Sequence, residues 1–396
     1  MPLRVFVTGV GIISATGNGT GENLASFYDL RTGIGNLLHL ASVHSHIPVA
    51  EVKQSNEGLA EIAGVDLTKG KYSRNTLLAL IASQQAFTDA GSPDLSGRHA
   101  GIIFATTTGG MDLNERYYKS LLQEDTFKDY IPFFDSADCT ERIAKFFGVK
   151  HNITTISTAC SSSANAIMHG VRMIRNHNAR RILVGGADAI TRFTLNGFLA
   201  LEILSHTGCR PFDQFRNGLT IGEGAAALML ESEEMADPSR IICEITGYAN
   251  VNEAYHQTAS SADGMGAMMA MQQALKIAGL KDNDISYINA HGTGTEINDL
   301  SEGRAIGHVF QGSIPPVSST KAFTGHTLGA AGAVEAVFAV LSIRHQIILP
   351  GINCMNPMPE LTFRPPAAVM KAAVNHVISN SFGFGGNNTS LIFSKA

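Results

Sequence analysis

Charge is scarce in this chain of 396 residues. Lys, Arg, Asp and Glu make up 16% of it, with a formal net charge of −5. So little charge excludes a disordered segment or a coiled coil as the main architecture. The mild acidity excludes an overall pull toward nucleic acid or an anionic membrane. Cysteine is sparse too. Cys139, Cys160, Cys209, Cys243 and Cys354 are odd in number and scattered, with no CxxC pair. That excludes a disulfide scaffold and a zinc ribbon, and it fits a reducing compartment. No apolar run has the length of about 20 residues that a membrane span needs. The first strand-like run starts at Arg4, which leaves no room for a signal peptide. The expectation is a cytoplasmic enzyme with neither nucleic acid nor membrane among its partners.

What the chain does have is 40 glycines and abundant alanine, a composition that suits tightly packed α/β layers. Strand-like and helix-like segments alternate. Apolar runs predict strands at Arg4–Val10, Ala100–Ala105, Ile153–Ile156, Arg181–Gly186 and Ala225–Leu230. Ser73–Ala90 predicts a helix closed by Gly91, and residues 111–150 predict a helical excursion rich in Tyr and Phe that covers a site or an interface. Near Pro238 the pattern restarts. Strands are predicted at Arg240–Gly247, Ile285–Ala290, Pro316–Ser319, Ser379–Phe384 and Leu391–Phe393, with helices at Ala267–Ala278 and Gly329–Ile343. The restart predicts two α/β halves, 1–239 and 240–396, related by duplication, with helices apolar nearly all round packed between two sheets. Gly9-Val10-Gly11 resembles the start of a dinucleotide fingerprint, but Ser14 stands where its third glycine belongs, so a plain tight turn is the better reading.

Four predicted strand ends run into polar turns, the place where open α/β folds build sites. The first is Thr158-Ala159-Cys160-Ser161-Ser162-Ser163. There Ala164, Ile167, Met168, Val171 and Ile174 open a helix, and a helix N-terminus favours a thiolate. The others begin at His291 (HGTGTEIND), at Ser319 (STKAFTGHTLGAAGAVE) and at Asn380 (NSFGFGGNN). Singly, His291 and His326 read as structural histidines and Lys321 as a solvated side chain. Glu335 stands in a helix otherwise built of Ala, Gly, Val and Phe, so it needs a partner, for which Lys321 is the candidate. Gly383, Gly385 and Gly386 around Phe384 permit a turn that aims N–H groups inward, as an oxyanion hole requires.

Together and in this order, Cys160 in TACSSS, His291 in HGTGT, Lys321 and His326 in KAFTGH, and Phe384 in NSFGFGGNN resemble the β-ketoacyl-acyl carrier protein synthases of the elongating, Cys-His-His type. The stretch GCRPFDQFRNGLTIGEGAA, with Arg210, Pro211, Phe212, Asp213, Arg216 and Gly222-Glu223-Gly224, adds to a likeness that spans the chain. Initiating synthases carry Asn where His326 stands, and a chain-length factor would lack Cys160.

The resemblance implies a thiolase-like fold in a five-layer αβαβα arrangement. It implies decarboxylative Claisen condensation of a malonyl group with an acyl group held on Cys160. Cys160, His291, His326, Lys321 and Glu335 would be the catalytic set. The N–H groups of Cys160 and Phe384 would form the oxyanion hole, with Phe384 also the gate. Thr293 and Thr295 would hold the phosphopantetheine arm, and Thr108 and Phe198 would line the acyl pocket. No cofactor and no metal are implied, because the substrates ride on the phosphopantetheine of acyl carrier protein. The implied partners are acyl- and malonyl-loaded carrier protein and a second copy of the chain. Lys69, Lys71, Arg74 and Arg210 are the candidate basic residues for an acidic carrier, while Glu202 stands near where a relative has arginine. Fatty-acid elongation is the leading pathway, and polyketide or aryl-polyene synthesis is the alternative. A metal site of Cys160, His291 and His326 lacks a clear fourth ligand, and a degenerate thiolase would need a second catalytic cysteine where Phe384 stands.

Overall fold

A computed structural model describes residues 3–118 and 125–396. The strands are β1 (Val5–Ser14), β2 (Gly17–Asn18), β3 (Ala100–Ala105), β4 (Ile153–Ile156), β5 (Arg181–Asp188), β6 (Gly224–Ser232) and β7 (Cys243–Asn252). They continue with β8 (Tyr287–Asn289), β9 (Val317–Ser318), β10 (Ile347–Ile348), β11 (Met370–Lys371), β12 (His376–Gly383) and β13 (Asn387–Ser394). The first half forms a sheet in the order β4-β3-β5-β6-β1, the second in the order β9-β8-β12-β13-β7. Numbered within its own half, with β2 and the separate β10–β11 pair left out, each sheet reads third, second, fourth, fifth, first. The directions repeat as well. In the first half β4, β3 and β5 are mutually parallel, and β6 runs antiparallel to both β5 and β1. The same holds for β9, β8 and β12 against β13 and β7. The duplication expected from the restart near Pro238 is therefore a repeat of topology. The two sheets meet at a short antiparallel seam, Phe6 opposite Glu244 and Val7 opposite Cys243, which joins them into one hydrogen-bonded path.

Five layers result. The helix Arg74–Asp89 lies on the outer face of the first sheet and Met265–Ala278 on that of the second. Two central helices, Ser162–Arg175 and Ala331–His345, fill the space between the sheets and touch both. Every residue from Ala331 to Ile343 is buried. Contrary to the expectation that no run reaches spanning length, the 18 residues Leu328–His345 are long and apolar enough by composition, yet 89% of the stretch is buried inside the fold, so its apolarity serves the core. Local signals set the ends. Ser73 caps the first outer helix by accepting the N–H of Thr76, and Gly279 takes a left-handed φ of 67° that ends the second.

Some boundaries move. β7 begins at Cys243 rather than Arg240, because Pro238–Arg240 forms a 3₁₀ turn. The excursion contains helices Met111–Tyr117 and Ala137–Phe147 with a 3₁₀ segment Asp125–Phe134 between them, while residues 119–124 lie outside the described residues. The Gly9–Gly11 pair is not a turn at all. Both residues lie inside β1, where a Cβ on Gly9 would stand 2.2 Å from the Ala86 carbonyl oxygen and one on Gly11 2.1 Å from that of Ala82. They let the outer helix lie directly on the strand.

Close approach recurs between the central helices. A Cβ on Gly332 would sit 2.6 Å from the backbone nitrogen of Ala164 and 2.8 Å from its Cβ. Both neighbours belong to a helix walled in by sheets and cannot move aside. Gly332→Ala is expected to cost about 1–3 kcal/mol through overpacking, read as a lower Tm. A variant with the wild-type Tm would show that the crossing has slack.

Candidate active site

Cys160 stands at the corner between β4 and the first central helix. The corner is tightly wound. Ala159 has φ 53°, left-handed for a residue with a Cβ, and Thr158 and Cys160 bridge across it. Ser162 ties the turn from within, its hydroxyl accepting the N–H of Thr158 at 2.8 Å and donating to the Ala159 carbonyl. Gly383, at the end of β12, comes so close that a Cβ there would stand 3.2 Å from the Cys160 nitrogen. That approach brings the N–H of Phe384 to the Cys160 sulfur, which also faces its own backbone N–H. These two donors match what an oxyanion hole requires.

The thiolate expected from the helix start does not hold in the resting protein. Burial pushes the Cys160 thiol up to about 11. Lys321 and the two N–H groups pull the other way, and Asp188 adds to the rise. The local dipole is the weaker effect, because the corner is sealed between the sheets and Cys160 is 7% exposed.

His291 and His326 flank the sulfur, their ring centroids 5.3 Å apart and nearly perpendicular at 87°. Burial first, and the charge of Lys321 second, hold both well below the ordinary histidine range, so both are neutral at pH 7. Their tautomers follow from their partners. The N–H of Leu328 donates to His326 Nδ1 at 3.1 Å, and Lys321 Nζ stands 3.3 Å from His291 Nδ1. With each Nδ1 used as an acceptor, each ring keeps its proton on Nε2 and has an N–H to give. This bears on the metal reading. The sulfur and a nitrogen of each ring lie within 4.8 Å of one another, a set that suits a soft metal by identity. An Nε2 that carries a proton has no lone pair for a metal, so the cluster is built to donate hydrogen bonds.

Lys321 is 1% exposed and sits behind His291, donating to the His291 carbonyl oxygen at 2.6 Å and to Glu335. The Lys321–Glu335 pair expected from the sequence is thus present. Burial raises the Glu335 carboxyl to about 7 despite its lysine. A cavity of about 510 Å³ opens onto Cys160, His291 and His326. Thr293 and Thr295 line it, their hydroxyls 2.9 Å apart, as do Phe198 and Phe384, whose rings stack with centroids 6.1 Å apart.

Other candidates fall elsewhere. Thr108 is not on the cavity wall, and its hydroxyl donates to Asp188 at 2.9 Å. Arg74 is not a surface residue. It is buried against Glu223 at 2.6 Å and also donates to the carbonyls of Val52 and Gln54. Lys69 pairs with Asp66 and Lys71 with Asp129, so much of the expected basic patch is neutralised, while Glu202 lines the cavity mouth.

Three buried carboxylates went unread in the sequence. Glu302 accepts the N–H groups of His291 and Gly292 at 2.9 and 2.8 Å and holds the His291 turn. Asp299 accepts those of Gly294 and Phe212. Asp188 takes the hydroxyls of Thr106, Thr107 and Thr108 and the N–H of Gly329, tying the end of β3 to the turn after His326. Glu302 lacks the signal of Glu335, because its helix, Glu296–Val309, also carries Glu296, Asn298, Asp299 and Arg304, and Asp188 has none either.

The resting thiol has a measurable consequence. With its pKa near 11, the thiolate fraction of Cys160 rises about tenfold per pH unit across neutrality. Alkylation of the free protein by iodoacetamide, with Cys160→Ala as the blank, is expected to climb from pH 7 to 9 without levelling. A plateau near pH 7 would mean that the donors overcome burial.

The sequence matches the family model described as "Beta-ketoacyl synthase, N-terminal domain" over residues 3–236 and that described as "Beta-ketoacyl synthase, C-terminal domain" over 242–355. The 3-oxoacyl-[acyl-carrier-protein] synthase 2 of Synechocystis sp. is 35% identical over 99% of this chain and 98% of its own length. The ishigamide ketosynthase/chain length factor superposes with a TM-score of 0.91 at 31% identity, covering all of both chains. A ketosynthase solved with its type II polyketide acyl-carrier protein and bound to the hexaketide superposes at 0.88 and 29% identity, again over both full chains. With both family models matched and relatives similar from end to end, the chain belongs to the beta-ketoacyl synthase family.

Proposed function

We propose that this protein is a 3-oxoacyl-acyl carrier protein synthase, an acyltransferase that lengthens a fatty acyl chain by decarboxylative condensation. One observation carries the reading. A thiol, two Nε2–H donors and the Phe384 N–H converge on one cavity with Thr293 and Thr295 on its wall. In the first half-reaction the Cys160 sulfur attacks an acyl thioester. The tetrahedral oxyanion is met by the N–H groups of Cys160 and Phe384. The carbon–sulfur bond to the carrier breaks, and the departing pantetheine thiolate takes the proton that Cys160 gave up.

A malonyl carrier then enters. Its carboxylate leaves as CO2, and the electron pair left behind passes onto the thioester oxygen as an enolate. The Nε2–H groups of His291 and His326 hydrogen-bond that oxygen. The enolate carbon attacks the acyl carbonyl on Cys160, a carbon–carbon bond forms, and the sulfur is expelled and regains a proton from water. Lys321 and Glu335 act from behind, fixing the tautomer and place of His291. No step calls for a metal or cofactor.

The substrates of this reading ride on an acyl carrier protein, and the structural relative solved with its own carrier supports such a partner. A specialised polyketide or aryl-polyene pathway is the second reading, favoured by the polyketide and ishigamide relatives and by the acidic Glu202 at the mouth. Intact-mass measurement of Cys160 acylation by carriers bearing saturated or polyene chains separates the two. A homodimer fits β4, which among the described residues is an edge strand of the sheet, with Ile153 40% exposed. Sedimentation as a monomer alone would remove it.

Two variants test the roles. Cys160→Ala is expected to abolish condensation while CO2 is still released from the malonyl carrier; full condensation would end the assignment. His326→Ala is expected to slow CO2 release about 10²- to 10³-fold, the usual loss for one oxyanion donor, with Cys160 still acylated. Unaltered CO2 release would rule out its part.

A further inference from the structure

The Phe384 N–H stands in a glycine-rich turn, and the next N–H, that of Gly385, donates to the Gln257 carbonyl at 2.7 Å. Gly383, Gly385 and Gly386 surround Phe384, with left-handed φ at the last two, and glycine gives such a turn little stiffness. Gly386 is anchored on the far side, its carbonyl accepting the N–H of Glu253 and the side chain of Asn388. On the near side stands Asn387. Its Oδ1 lies 2.7 Å from Ser161 Oγ, 2.9 Å from Asn165 Nδ2 and 2.7 Å from Asn250 Nδ2. Donors from two elements thus meet on one carbonyl oxygen, and Ser161 Oγ shares its one proton between that oxygen and the Thr158 carbonyl, which lies 2.8 Å away. Ser161 follows the nucleophile directly, Asn165 lies one turn further along its helix, and Asn250 belongs to β7.

The cluster is closed on itself. Asn165 Nδ2 also donates to Thr158 Oγ1 at 2.8 Å, and its Oδ1 accepts Thr389 Oγ1 at 2.8 Å and Asn250 Nδ2 at 3.1 Å. Asn250 Nδ2 reaches Thr389 Oγ1 at 2.8 Å. Asn165 is 6% exposed with every side-chain hydrogen-bonding group engaged. Asn250 and Asn387 are half-buried, and the two protons of Asn250 Nδ2 are shared among three acceptors, so the cluster is a dense polar network that holds its members in place. Among the described residues, the hydrogen bonds to Asn387 Oδ1 are the side-chain links between the Phe384 turn and the Cys160 corner.

We propose that Asn387 is a positioning residue for the oxyanion hole: its Oδ1, gripped by Ser161, Asn165 and Asn250, sets where the Phe384 N–H stands relative to Cys160. This rests on the condensing-enzyme reading above. It makes a distinction that general packing would not. Transfer of an acyl group to Cys160 passes through a tetrahedral oxyanion and needs the aimed N–H. Alkylation of the same sulfur by iodoacetamide forms no oxyanion. Loss of CO2 from malonyl carrier relies on His291 and His326.

In Asn387→Ala, acylation of Cys160 by an acyl carrier, followed by intact mass, is expected to fall about 10- to 100-fold, the scale of a displaced oxyanion donor. Alkylation and CO2 release hold at wild-type rates. Asn387→Asp keeps an acceptor oxygen and restores the ratio of acylation to alkylation, a ratio in which any change in thiolate fraction divides out. An unchanged ratio in the alanine variant, an equal fall in all three rates, or no recovery with aspartate would overturn the proposal. Asn250→Ala, which removes one of the three donors, lowers the same ratio by less and carries the test if Asn387→Ala does not fold. Failure of both to fold would make the cluster a stability element and also overturn it. A wild-type protein that carriers cannot acylate would instead remove the functional reading.

Discussion

A lysine in the core constrains everything around it. Lys321 is buried as deeply as the histidines it serves, and removing an ammonium from water costs several kcal/mol unless its protons are taken up. Glu335, the His291 carbonyl and His291 Nδ1 take them up. The arrangement then propagates. Because Nδ1 of His291 faces a cation, that ring cannot hold its proton there, and the same charge helps keep both rings neutral. One buried cation thereby sets a tautomer, a protonation state and part of the pull on the Cys160 sulfur.

Cys160 itself is held in a contest that burial wins. Its donors are the kind that appear when charge develops: two N–H groups and a cation behind an imidazole. Against burial they do not suffice to ionise the thiol. Such a sulfur is a poor target for oxidants and stray electrophiles, which seek thiolates. The donors act fully only on a species that carries more charge than the resting thiol, and a tetrahedral oxyanion is one.

Much of this was legible in the sequence, and the parts that were not share a cause. β3 and β4 occur at the bounds read from Ala100–Ala105 and Ile153–Ile156, because short apolar runs between turns carry their limits within themselves. Lys321 and Glu335 could be paired because a carboxylate in an Ala- and Gly-rich helix demands a cation. Arg74 misled, since its partner Glu223 lies 149 residues away and nothing near Arg74 announces it. The thiolate expectation weighed the helix start, a local feature, and omitted desolvation, which depends on both sheets closing over the corner. Asp188 and Asn387 were invisible for the same reason. Each gathers donors from segments far apart in the chain, so its meaning exists only after folding.

The repeated strand order divides the labour of the site. Cys160 follows the third strand of the first half; Lys321 and His326 follow the third strand of the second. The fourth strands do likewise, ending in Asp188 on one side and in the Gly383–Phe384 turn on the other. Matching corners of a doubled scaffold thus hold unlike chemistry, a covalent perch in one half and hydrogen-bond donors in the other. A reaction that must store one substrate while it prepares a second gains from such a split. The stored group waits on one copy of the repeated corner while the other stays free to work on the newcomer.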